Sequence, residues 1–179
     1  MKNEIPKILH SYATDEPFTN CIDCDKHLLE DGVTYMVEKA IKQYIKDGYS
    51  AQEVLFEYAI CTECAEKVKQ KMSKESREAI DNYMMGNHTF HNASNGSLNC
   101  MIKGGAVEEY QEYQVFSLFQ GNNMMTPAPM AIGSEALEEL GQLISNETLD
   151  ELDRLKGDYF GTPPELEELL PNHRVPFLI

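Results

Sequence analysis

Apolar and polar positions along the chain change period several times, and each change marks an element. In GVTYMVEKAIKQYI, Val33, Tyr35, Val37, Ile41 and Ile45 fall mostly on one parity, as in a half-exposed strand, with Lys39 and Gln43 breaking the alternation. The same stretch, from Met36, also reads as a short helix. VLFEYAI, residues 54–60, is rich in β-formers, and the turn residues of KDGYSAQE between the two stretches make a hairpin the economical reading. After residue 61 the spacing becomes helical, with Ala65, Val68 and Met72 on one side and Thr62 available as an N-cap. SKESREAIDNYMM places Ala79, Ile80, Tyr83 and Met84 on one face of a second helix that Gly86 and Asn87 stop.

NHTFHNASNGSLN is rich in Asn, Ser and Gly and reads as a connecting loop. This divides the chain into a module over 1–86, a linker over 87–98 and a second module over 99–179. In the latter, YQVFSLFQGNNMMTPAPMAIG reads as two strands around a GNN turn, and SEALEELGQLI as a helix capped by Ser134 with Leu137, Leu140 and Ile144 on one face. Ser145 caps a further helix bearing Leu149, Leu152 and Leu155, weakened by Gly157 and ended by Gly161. Thr162-Pro163-Pro164-Glu165 is a capping box that opens a short helix stopped by Pro171. The final VPFLI is too apolar for water and is expected to dock on the molecule or on a second copy, a route to a homo-oligomer.

The expected fold class is therefore α+β, a hairpin-plus-helix module followed by a second one and by C-terminal helices. The 179 residues allow one ordinary domain or two small ones, and 42% apolar with 25% charged residues is a globular composition. No basic start precedes an apolar leader and no apolar run is long enough to span a bilayer, so a cytoplasmic protein with no membrane partner is expected. The formal net charge of −15 disfavours phosphate backbones, hence nucleic acid. Its distribution is uneven, for residues 99–179 carry four basic against 14 acidic side chains. Runs such as EALEEL are read as solvated helix faces.

Five cysteines without a secretory leader point to metal or redox chemistry rather than a disulfide framework. Four form two Cys-x-x-Cys pairs, Cys21 with Cys24 and Cys61 with Cys64. A two-residue gap lets the chain turn so that both sulfurs face one centre about 2.3 Å away, and two such turns complete a tetrahedron for one structural zinc ion. The order of knuckle, hairpin and a helix whose start bears the second pair resembles the treble-clef and zinc-ribbon-like fingers over residues 19–72. The resemblance implies a fold and a Zn²⁺ but no activity, since such fingers serve many functions. The rival is a redox pair at CTEC, which leaves CIDC unexplained. His27, three residues beyond Cys24, reads as a spectator. His88 and His91 read as solvated loop residues, with a second metal pair as the sharper alternative.

The second half carries an echo of the first. NCIDCDKHLLEDGVTYMV aligned with NCMIKGGAVEEYQEYQV matches Asn20 with Asn99, Cys21 with Cys100, Glu30 with Glu109 and, after one gap, Tyr35 with Tyr113 and Val37 with Val115. The expectation is a degenerate copy without metal, in which Lys103 replaces the second knuckle cysteine. Side-chain packing by Val115, Phe116, Leu118, Phe119 and the segment 124–130 would hold it together. The alternatives are an unrelated α+β cap in which Cys100 is a small buried residue, or a catalytic Cys100 with His88 or His91.

No P-loop, dinucleotide loop, serine elbow or His-Glu-x-x-His stretch occurs, so no catalytic residue or further cofactor is assigned. The sequence favours a non-enzymatic interaction module with a protein partner. The alternative is an enzyme, either a treble-clef-type hydrolase or a thiol oxidoreductase, although the stretch 32–60 lacks the histidine base that such a nuclease needs.

Overall fold

The computed structural model describes residues 5–87 and 97–161. It is α+β and rests on one antiparallel sheet. Strands β1 (Thr34–Lys46) and β2 (Tyr49–Cys61) form a long hairpin. Asp47 and Gly48 at its tip have φ of 51° and 83°, the left-handed pair that matches a two-residue turn to strand twist. Helices α1 (Thr62–Lys71) and α2 (Lys74–Asn87) follow, then β3 (Glu112–Gln120), a two-residue β4 (Asn123–Met124), β5 (Met130–Gly133) and helices α3 (Ser134–Leu143) and α4 (Asn146–Phe160). The strand order is β2-β1-β3-β4, and β5 also pairs with β3. No helix among the described residues is long and apolar enough to cross a membrane.

The stretch read as strand or short helix is thus a strand, but not a half-exposed one. Every residue from Tyr35 to Ile41 is buried, because β1 lies between β2 and β3 and both faces of the sheet are covered. Helices cover one face: Phe160 of α4 stacks on Phe56 with ring centroids 5.8 Å apart. Beside them Tyr58 donates its hydroxyl to the fully buried carboxylate of Glu38. Burial, and then that carboxylate, hold the phenol protonated far above its ordinary range. The N-terminal segment covers the other face, where Lys39 pairs with Glu57 at 3.0 Å and donates to the His10 carbonyl. Ser11 Oγ and the Tyr12 N–H donate to the same Glu57 carboxylate. Lys39 broke the alternation as a residue of a partnered, buried ion pair, the form in which a sheet interior tolerates charge. Gln43, the other exception, donates from its side-chain amide to the carbonyls of Val107 and Tyr110 at 2.8 and 2.9 Å.

The two halves share a set of equivalent backbone bonds. Isolated bridges close the two knuckles at Asn20 with His27 and at Asn99 with Ala106. The Cys21 N–H donates to the Lys26 carbonyl at 2.9 Å as the Cys100 N–H does to Gly105 at 2.8 Å, and Asp25 to Cys21 at 3.0 Å as Gly104 to Cys100 at 2.8 Å. Asp25 and Gly104 share positive φ, 59° and 81°. Ladder pairs Tyr35 with Cys61 and Val37 with Ala59 recur as Tyr113 with Gly133 and Val115 with Ala131. Both hairpins run directly into a helix of 10 residues, starting at Thr62 and at Ser134. Cys100 stands at a turn and the segment from Tyr113 to Ile132 is an antiparallel pairing, as a duplication requires. Among the residues expected to pack the second half, Val115, Phe116 and Phe119 are buried, whereas Leu118 is exposed.

The halves join about a local two-fold. β1 pairs with β3, matching Tyr35 with Phe119 and Tyr113 with Ile41, so exchanging the halves leaves the ladder unchanged about the pair Glu38 and Phe116. Sheet and core are therefore common to the segments read as two modules. The boundary proposed between them, like His88 and His91, falls mostly outside the described residues, as do the capping box from Thr162 and the terminal VPFLI.

Two caps differ from expectation. The N-cap residues of α1 and α3 are Cys61 and Gly133, without side-chain cap bonds, and Thr62 and Ser134 are the first helical residues. The Thr62 hydroxyl instead donates to the Thr34 carbonyl at 3.1 Å. At the next helix pair the caps interlock across the two-fold. Ser145 Oγ accepts from the Thr148 N–H and Ser73 Oγ from the Ser76 N–H, while the Ser145 N–H donates to Ser76 Oγ and the Ser73 N–H to Thr148 Oγ1, at 2.9 and 3.0 Å.

This reciprocity is testable. Ser76→Ala and Thr148→Val should each cost about 1–2 kcal/mol in urea unfolding, because each strands an N–H of the opposite helix start. The double variant should cost less than the sum, as expected for one network. Full additivity would show two independent caps.

Candidate metal centre

The first pair of cysteines is positioned by the knuckle. Its closing bonds turn the chain between Cys21 and Lys26, and the Asn20 side-chain amide donates to the Asp25 carbonyl and carboxylate at 3.0 and 3.1 Å. The Ile22 N–H donates to the Ala59 carbonyl at 2.9 Å, which fixes the knuckle to the outer edge of β2. The second pair comes from the junction of β2 and α1: Cys61 ends the strand and caps the helix, and Cys64 lies in its first turn. Helical geometry from Thr62 onward therefore sets where Cys64 points relative to Cys61.

These placements bring the sulfurs of Cys21, Cys24, Cys61 and Cys64 within 4.8 Å of one another. Metal–sulfur bonds of about 2.3 Å in a tetrahedron place sulfurs about 3.8 Å apart, and Cys24 Sγ lies 3.8 Å from Cys61 Sγ. All four thiols are free of disulfides. Cys21, Cys61 and Cys64 are buried and Cys24 is exposed. The Cys61 N–H points at Cys21 Sγ, 3.4 Å away, a donor that favours thiolate.

Burial raises the Cys61 and Cys64 thiols above their ordinary range, while Cys24 is lowered, chiefly by the Lys26 N–H. Without a cation Cys61 and Cys64 favour the neutral form, and a bound divalent ion would reverse that balance. Lys26 stands beside the cluster. Its ammonium pairs with Glu63 at 2.7 Å, and that bond first, then the nearby sulfurs of Cys61 and Cys24, hold it protonated. Tyr159 of α4 donates to Asp23 at 3.1 Å, tying the last described helix to the knuckle.

The donor set can thus hold a single metal ion in a closed, all-sulfur site. His27 is exposed on the knuckle and outside the four-cysteine group, consistent with its reading as a spectator. Cys100 is fully buried at the equivalent turn of the second half. Sequence reasoning missed the N–H donors around the cluster, which come from backbone placed by the hairpin, and the covering contact from Tyr159. Comparison of the chain with protein-family models, with curated proteins and with solved structures gave no match.

Proposed function

We propose that the chain is a non-enzymatic interaction protein whose first half is a treble-clef-like finger built on one structural zinc ion. The observation that carries the reading is the closed donor set: four sulfurs within mutual reach, three of them buried. Four-cysteine sites of this kind are structural, whereas catalytic zinc keeps a position open for water. Four thiolates and one Zn²⁺ add two negative charges to a chain already at −15, which supports a protein partner over a polyanion. The far end of the first hairpin supports it further. Beyond Lys42 it projects past β3 and carries exposed Tyr44, Ile45 and Tyr49, the amphipathic side chains that protein interfaces favour.

Purified full-length chain should contain about one zinc per molecule, with a sulfur-only shell at about 2.3 Å by X-ray absorption. Cys24→Ser should lose most of that metal and lower the melting temperature. Zinc should leave as the pH falls, because the released thiolates take up protons and acid therefore favours the metal-free state. Unchanged thermal stability after complete chelation would sink a structural role, and a metal-free chain with Cys61 joined to Cys64 would favour redox chemistry. The repeat supplies an internal control: chelation should speed hydrogen exchange at the Cys21, Ile22 and Asp25 amides and spare their counterparts at Cys100, Met101 and Gly104.

A further inference from the structure

The four ligand positions of the first half have definite counterparts in the second. By knuckle bonds, ladder register and helix starts, Cys21 corresponds to Cys100, Cys24 to Lys103, Cys61 to Gly133 and Cys64 to Ala136. The local geometry survives the loss of three thiols. Cys100 Sγ still faces the Gly133 N–H at 3.3 Å, as Cys21 Sγ faces the Cys61 N–H at 3.4 Å. The Met101 N–H still donates to the Ala131 carbonyl at 2.8 Å, as Ile22 does to Ala59. Lys103 is exposed and its ammonium pairs with Glu139 at 2.6 Å, and Tyr83 donates to the same carboxylate.

One aromatic side chain fills the space that a side chain at Gly133, the counterpart of Cys61, would take. A Cβ added to Gly133 would meet three ring carbons of Tyr110 at 2.6–2.7 Å, and one added to Gly105 would meet the Tyr110 hydroxyl at 2.8 Å. The ring therefore lies over the strand end and its hydroxyl over the knuckle. These are the two arms that an ion joins in the first half, Gly133 standing for Cys61 and Gly105 for Lys26. Neither glycine has a positive φ, so close approach of this ring, and not backbone conformation, is what a side chain there would offend. The corresponding turn of the first half has only Asp31 and Gly32, and neither offers a ring.

We propose that Cys100, Lys103, Gly133 and Ala136 mark a lapsed metal site in which Tyr110 has taken the place of the ion as the link between knuckle and helix start. The site remains one set of substitutions from binding a thiophilic divalent cation. It rests on the zinc reading only for the identity of the ion, because the correspondence and the position of the ring stand independently of it.

The test rebuilds the site in the full chain with Lys103→Cys, Gly133→Cys, Ala136→Cys and Tyr110→Ser. Metal content is counted by native mass spectrometry after reconstitution with zinc, and thiolate ligation is read from the absorption of the cobalt(II) form. The rebuilt chain should bind one more ion than the native chain, and the chain with the three cysteine substitutions that keeps Tyr110 should bind no more than the native one. A folded rebuilt chain with no extra ion, or an extra ion despite Tyr110, overturns the proposal. A native count of zero with a rebuilt count of one would sink the reading of the first centre and leave this one standing.

If the rebuilt chain does not fold, a metal-independent cycle decides. Gly133→Ala should lower the melting temperature in the native background and change it little in the Tyr110→Ser background. Equal losses in both would show that the ring is not what fills the site.

Discussion

Residues Thr34 to Lys42 of β1 lie against Glu112 to Gln120 of β3, and this ladder is where the first half of the chain pairs with the second. Because the pairing is unchanged when the halves are exchanged, whatever follows one strand is placed by the same relation after the other. Hairpin partners fall on opposite sides, β2 beyond β1 and β5 beyond β3. Each knuckle then binds the outer side of its own partner strand, Ile22 at Ala59 and Met101 at Ala131, covering part of an edge that would otherwise invite pairing with another chain. The starts of α2 and α4 meet through Ser73, Ser76, Ser145 and Thr148 for the same reason. Nothing in either half alone would bring those caps together.

Local chemistry was legible in the sequence, and long-range partnership was not. Two Cys-x-x-Cys pairs announce a common centre because each turn is short enough to dictate where its sulfurs point. The Asp47-Gly48 tip and the Ser145 cap are likewise decided within a few residues. By contrast, alternation in a strand reports burial on one face only. The N-terminal segment covers one face of β1 and α4 the other, so Lys39, which broke the alternation, is buried beside Glu57, and Glu38, on the parity read as exposed, is buried beside Tyr58. The caps were misread for a related reason. Thr62 and Ser134 have the right side chains for an N-cap, but Cys61 and Gly133, the last strand residues, take the cap positions and helix begins at once.

Tyr110 was invisible for a third reason. Its importance lies in what the second half has lost, and a missing ligand leaves no residue to notice. The signal that could have found it is the pair Gly105 and Gly133 read together with the repeat. Both replace larger side chains of the first half, and both face the same ring.

A tetrathiolate centre, as proposed for the first half, and an aromatic ring would answer the same mechanical need differently. Metal ligation joins knuckle and helix start with bonds whose strength does not depend on how much apolar surface the site can bury, but it ties the fold to thiolate and ion. A ring works by contact and needs room, which two glycines provide, along with a close-packed surround. The two hairpins load these links unequally. In the first half β2 is 13 residues long, and the hairpin it forms with β1 continues beyond Lys42, where β1 no longer has β3 beside it. In the second, β5 has 4 residues and all of them pair with β3 beside the core. The four-cysteine group lies at the base of the longer lever, where a bound ion would clamp it, and the shorter one packs beside the core. On the proposed reading, this difference in hairpin length is a physical reason for an ion at the base of the first hairpin and a packed ring at the base of the second.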